Sequence, residues 1–240
     1  MASLHLASNR ILLVLAISAF GFLGTGCNIA SSVAYFVTPN PSVDAQYDIK
    51  DIPTVVFVDD RRNTVNPVRF RRLIAETASQ DLLDQELVTE VYSPRDADLA
   101  ARQYDRGSTP AEISRIAEAV KARQIIYVEM LQFALSRDGV SPDPFAACNI
   151  RVLDLDLRRQ VFPPKTQDSE IGEFNVEQTK SGNKSYLLQV TLPSQTSQGM
   201  TDARVRQKLG EALAAETGNR IAKLFYEHEL PAVGANLIYQ

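Results

Sequence analysis

The chain has no tryptophan, only two histidines and only two cysteines in 240 residues. One histidine, His5, lies in the first few residues, so the body of the protein carries a single imidazole, His228. A Ser–His–Asp triad, a Cys–His pair or a His-rich zinc site would have to be built around that one ring. Its neighbours, Tyr226-Glu227-His228-Glu229, read instead as a charged helix end facing water. A basic excess is missing too. The formal net charge is −4, which gives no electrostatic footprint for nucleic acid. Phosphate loops, dinucleotide fingerprints, Gly-x-Ser-x-Gly elbows and Cys/His metal spacings are also lacking, so no cofactor is expected. What remains is ordinary globular composition, 45% hydrophobic and 22% charged, without low-complexity bias.

The most informative segment is the first one. A short amino-terminal region ends in Arg10, an apolar run follows from Ile11 to Leu23, and small residues lead into Cys27 as Leu23-Gly24-Thr25-Gly26-Cys27. A spanning helix needs about 20 apolar residues, so this shorter run with a basic front reads as a signal peptide over 1–26. Leu23 to Cys27 resembles the lipobox of bacterial lipoproteins, with the leucine one place further from the cysteine than is usual there. The resemblance implies that Cys27 is acylated and becomes the new amino terminus. Several acyl chains would give near-permanent attachment, since each buried CH₂ contributes roughly 0.8 kcal/mol and a single chain is marginal. Asn28 is not the aspartate that marks inner-membrane retention in such lipoproteins, which favours the periplasmic face of the outer membrane. The alternatives are plain cleavage nearby, leaving a soluble exported protein, and an uncleaved anchor. If Cys27 carries lipid, Cys148 has no disulfide partner. It sits in the apolar stretch Phe145–Ile150 and reads as a buried, inert strand residue.

Residues 27–51, broken by Pro39 and Pro41, read as the lipidated terminus and a tether that could span at most about 80 Å at ~3.3 Å per residue. A single domain is expected over 52–230, with a loose tail over 231–240. Thr54–Asp59 has the β-branched run of a buried strand. Phe70, Ile74, Ala78 and Leu82 form one stripe of a helix over 67–84. A short strand over 87–92 follows. Ser93-Pro94 opens a helix to Tyr104, and Thr109-Pro110-Ala111-Glu112 is a capping box for a helix ending near Lys121. Strands are expected over 124–135, 146–154, 157–162 and 185–192, with an Asp138-Gly139 turn between the first two. Residues 165–184 read as polar and irregular. A final helix, capped by Thr201, carries Val205, Leu209, Leu213, Thr217, Ile221 and Phe225, with Gly210 and Gly218 weakening it. The fold class is therefore α/β (α+β): one mixed sheet of about five to six strands covered by helices, β-α-β-α-α-β-β-β plus a long carboxy-terminal helix.

This order, carried by Thr54–Asp59, Arg71–Leu83, Val88–Tyr92, Pro94–Ala101 and Ile116–Val128, resembles a group of envelope lipoprotein domains. The group comprises the curli-secretion lipoprotein, the lipoprotein activators of penicillin-binding proteins and the amino-terminal domain of the Tol propeller protein. Lys121-Ala122-Arg123 stands where that group has Gly-Ala-Asp, and no functional residue carries over. The resemblance implies a fold and a compartment.

Two constellations could carry chemistry. Asp59-Asp60-Arg61-Arg62 ends the first strand, the edge where ligands bind in open α/β sheets. The acids either hold a metal with Glu129 or Asp154, or form a solvated turn paired with the adjacent arginines. Arg61, Arg62, Arg69, Arg71 and Arg72 fall within twelve residues. Cations at a helix start oppose its dipole at a few tenths of a kcal/mol each. They are either a plain solvent face or a contact for an anionic partner. The expected function is a membrane-anchored, non-catalytic binding or assembly accessory of the cell envelope with a protein or cell-wall partner. The alternatives are a component of an envelope secretion or transport complex, and a metal-dependent enzyme. Oligomeric state is not legible.

Overall fold

The computed structural model describes residues 42–105, 112–164, 176–178, 184–193 and 202–230. The expected leader, Cys27, the capping box at Thr109 and the tail beyond Leu230 lie outside them. The chain divides into two units, Met1–Pro41 with Glu229–Val233, and Ser42–His228 with Gly234–Gln240. The fold described below is that of the second. Among the described residues no helix is long and apolar enough to cross a membrane.

The strands are β1 (Ser42–Val43), β2 (Thr54–Asp59), β3 (Val91–Tyr92), β4 (Gln124–Ala134), β5 (Phe145–Asp154), β6 (Arg159–Phe162), β7 (Val176–Gln178), β8 (Lys184–Thr191) and β9 (His228–Glu229). The helices are α1 (Arg69–Asp84), α2 (Pro94–Tyr104), α3 (Ile113–Ala119) and α4 (Ala203–Ala222), the last ending in a 3-10 turn at Lys223–Phe225. One mixed sheet runs β3-β2-β4-β5-β8-β7, with β6 also on β5. β2 is parallel to β3 and β4, and the remaining pairs are antiparallel. β8 pairs with the first half of β5 and β6 with its last residues, so two strands share one edge.

The fold class is the expected one. β2 is buried along its whole length because both faces are covered. Val56 and Val58 join Ile126, Val128, Ile150 and Val152 in the main core with the Phe70–Ile74–Ala78–Leu82 stripe of α1. Val55 and Phe57 point to the other side, against Ala97 and Ala100 of α2 and Ile116 and Ala117 of α3.

Several elements differ in detail from the sequence reading. The second strand shrinks to Val91–Tyr92, where Thr54 and Val55 supply its partners. The segment expected to be irregular contains β7, which gains its order by pairing with β8. His228 is in a short strand rather than a helix, with Nδ1 3.2 Å from the Tyr226 carbonyl. Asp202, rather than Thr201, caps α4 by accepting the Arg204 amide hydrogen at 2.7 Å. Asp138 builds the β4–β5 turn by accepting from the Val140 and Ser141 amides, and Gly139 takes φ +76° there.

Residues 44–51, which the sequence assigns to the tether, pack on the domain. The Gln46 and Tyr47 amides donate to the Leu224 carbonyl, and Ile49 is in the main core. The Tyr47 ring lies 5.6 Å from that of Phe162. Lys50 Nζ reaches the buried Asp154 carboxylate at 2.7 Å. Apolar residues every second position are the reason: Tyr47 and Ile49 have surface to bury, and the prolines that suggested a tether lie further upstream.

Candidate functional site

The carboxyl end of β2 lies against the middle of β4, Asp59 in register with Glu129. The strand order β3-β2-β4, with α1 on one face and α2 and α3 on the other, makes this a topological switch point, where ligands of α/β sheets bind.

Asp59 is buried and accepts at one oxygen from two donors, Tyr127 Oη at 2.6 Å and Arg61 Nε at 2.7 Å. Burial first, and then the adjacent Asp59 charge, push the Tyr127 phenol far above its ordinary value, so it stays protonated and donating. Asp60 is buried as well and organises the turn that follows. Oδ1 accepts from the Thr64 amide at 2.8 Å and the Thr64 hydroxyl at 2.9 Å, and Oδ2 from the Val65 amide at 2.9 Å. Arg71 Nε stands 3.8 Å from Oδ2.

The solvated turn expected at Asp59-Asp60 is thus a buried one, with both Asp60 oxygens occupied, because the strand end is covered by α1 and α2 rather than open to water. The metal reading finds no support in the arrangement. Among the described residues no group of three or more His, Cys, Asp or Glu side chains could hold a metal ion. Glu129 stands in register with Asp59, whereas Asp154 pairs with Gln124 at the start of β4, five residues away along the strand.

Removing the Asp60 carboxylate leaves the Val65 and Thr64 amides without acceptors under a covered loop. Asp60→Ala should cost about 3 kcal/mol, given ~1.5–3 kcal/mol for a hydrogen bond to a charged group. Asp60→Asn, which keeps one acceptor, should cost less than half as much. Urea denaturation checks both, and a loss under ~1 kcal/mol for the alanine variant would contradict the assigned role.

The five arginines do not form one face. Arg61 is committed to Asp59. Arg71 turns to Asp60. Arg69 stands over the Phe70 ring at 5.3 Å, 3.7 Å from Glu211 of α4. Arg62 and Arg72 are exposed and form no ion pair among the described residues. Arg69 and Arg72 rim a shallow groove floored by Phe70, Leu73, Ala212 and Ala215. On α2, burial raises the Asp98 carboxyl above its ordinary value, opposed by Arg102, Arg71 and Arg72.

No family model and no curated protein matches this sequence. Some solved structures are similar in outline. The PelC dodecamer from Paraburkholderia phytofirmans is 13% identical with a TM-score of 0.38, over 78% of this chain and 90% of that one. Protein XCC0632 from Xanthomonas campestris is 10% identical with a TM-score of 0.42, over 78% and 88%. Lipoprotein GNA1162 from Neisseria meningitidis is 10% identical with a TM-score of 0.34, over 71% and 99%. At such scores these likenesses carry no argument for this chain.

The free thiol is a structural residue. Cys148 is buried in β5, and burial pushes its pKa up to about 12, so no thiolate is available near neutral pH. Sequence reasoning missed Tyr127, which donates to Asp59. It sits in an apolar strand that reads as plain core.

Proposed function

We propose that the protein is a lipid-anchored accessory of a bacterial cell envelope that binds a protein or cell-wall partner without catalysing a reaction. The observation that carries this reading is the sequence Leu23-Gly24-Thr25-Gly26-Cys27 behind a short apolar run, followed by one α/β domain. The saturation of both Asp60 oxygens by the protein's own donors supports a binding role, since acids used for metal or acid–base chemistry keep a valence for ligand. The outer membrane, reached through the Cys27 acyl chains, is the expected site, with Arg62 and Arg72 as the cluster's unpaired positive charges towards an anionic partner.

The test is radiolabelled palmitate incorporation and intact mass in a bacterial host. The wild type should take up label and lose residues 1–26. Cys27→Ser should take up none and keep its leader. An unmodified Cys27 thiol on the purified wild type, or undiminished label in Cys27→Ser, would overturn the anchor. Crosslinked capture from envelopes then reports the partner.

A further inference from the structure

A cavity of about 700 Å³ opens between α3, β5 and the β5–β6 turn, on the opposite side of the sheet from α1 and α4. Four arginines line it: Arg115 from α3, Arg151 from β5, Arg158 from the turn and Arg159 from β6. None of the four forms an ion pair among the described residues. Glu112 and Glu118 on the α3 wall are exposed, and the third acid, Asp154, is already taken by Lys50 at 2.7 Å and by the Leu157 amide at 2.9 Å. The walls therefore hold a surplus of two positive charges.

Two features mark this cavity. Arg151 projects from β5 between the core residues Ile150 and Val152, with its guanidinium 4.7 Å above the Tyr127 ring. Its Nε is buried and has no acceptor. Buried donors are nearly always paired, so an orphan calls for an explanation. Arg158 takes φ +50° in the turn between β5 and β6, where its amide donates to the Leu155 carbonyl at 3.2 Å, and this turn places it on the cavity wall. Both face the same cavity.

We propose that this cavity binds a phosphate group carrying two negative charges, as the free ion or as a monoester. The guanidinium fork matches phosphate oxygens in paired hydrogen bonds, and two charges are what the surplus requires. The volume falls in the range of small-molecule sites, roughly 300–1,000 Å³. The assignment is independent of the lipid anchor and of Arg61–Arg72.

The experiment is a titration of the mature protein in detergent micelles with inorganic phosphate, followed by phosphorus NMR at ionic strength held constant with sodium chloride. Saturable binding is expected, weakened at least about tenfold in Arg151→Gln and in the double variant Arg158→Gln/Arg159→Gln, and unchanged in Arg95→Gln, an exposed arginine of α2 away from the cavity lining. The double variant alters only exposed side chains, so it reports even where Arg151→Gln fails to fold. Glycerol 3-phosphate and phosphatidic acid mixed into the micelles then compete separately. Displacement by the first alone assigns a soluble ester, and by the second a lipid headgroup. No saturable phosphate binding at millimolar concentration, or equal binding by the folded double variant, would overturn the proposal.

Discussion

Gly218→Val should destabilise the protein by about 3 kcal/mol, the upper part of the range for overpacking, and lower its melting temperature by roughly 6–12 °C. A Cβ at Gly218 would stand 2.6 Å from the Ile74 carbonyl oxygen and 2.7 Å from Thr77 Cβ. The first obstacle is backbone of α1, which cannot rotate away. Eight residues earlier, Gly210 would run into the Phe70 ring, and Ala214 between them is fully buried. The run Gly210–Ala214–Gly218 is thus a notch that lets α4 lie close against α1. Alanine at 218 gains about 1 kcal/mol of helix propensity, which offsets part of the clash, so Gly218→Ala should cost about 1 kcal/mol net. Gly139→Ala is the contrasting control. Nothing lies within 4 Å of its Cβ, and only the +76° φ is strained, which should cost about 1 kcal/mol. Thermal denaturation followed by circular dichroism measures all three. A valine variant within ~0.5 kcal/mol of wild type would show that the two helices do not meet in this way.

Phe162→Ala should cost about 3–5 kcal/mol, the range for removing a buried aromatic ring. Phe162 is fully buried at the end of β6 and is the hub of four rings. Tyr47 lies 5.6 Å away, Tyr186 5.5 Å and Phe225 6.1 Å, so the ring ties together β6, β8, the end of α4 and the residues before β2. Its loss opens a void that four separate segments would have to close. Phe162→Leu keeps most of the volume and should cost under ~1.5 kcal/mol. Equal losses for the two variants in urea denaturation would mean that the site collapses freely and that the hub is not structural.

Much of the architecture is legible in the sequence where one periodicity dominates. The α1 stripe at Phe70, Ile74, Ala78 and Leu82 is buried as the spacing requires. The β4–β5 hairpin follows from two apolar runs around Asp138-Gly139. Where an element depends on a distant partner, the local signal fails. β7 is polar and exists by pairing with β8, and residues 44–51 read as linker because their partners, Leu224, Phe162 and Asp154, are more than a hundred residues away. The Asp59-Asp60-Arg61-Arg62 run was visible as a candidate, but its burial was not, since covering a strand end takes two helices that the run does not encode.

By itself the sequence determined the strand and helix segments with strong apolar periodicity, the β-α-β order that makes a mixed sheet, and the leader pattern ending at Cys27. These are properties of short stretches, fixed by neighbouring residues. The tertiary structure alone decided that two glycines of α4 are a contact surface and that the arginines of one run divide among different partners. It also decided that Arg115, Arg151, Arg158 and Arg159 share one cavity. The reason is that burial and charge pairing are set by what stands across the space, and the residues standing there come from remote parts of the chain.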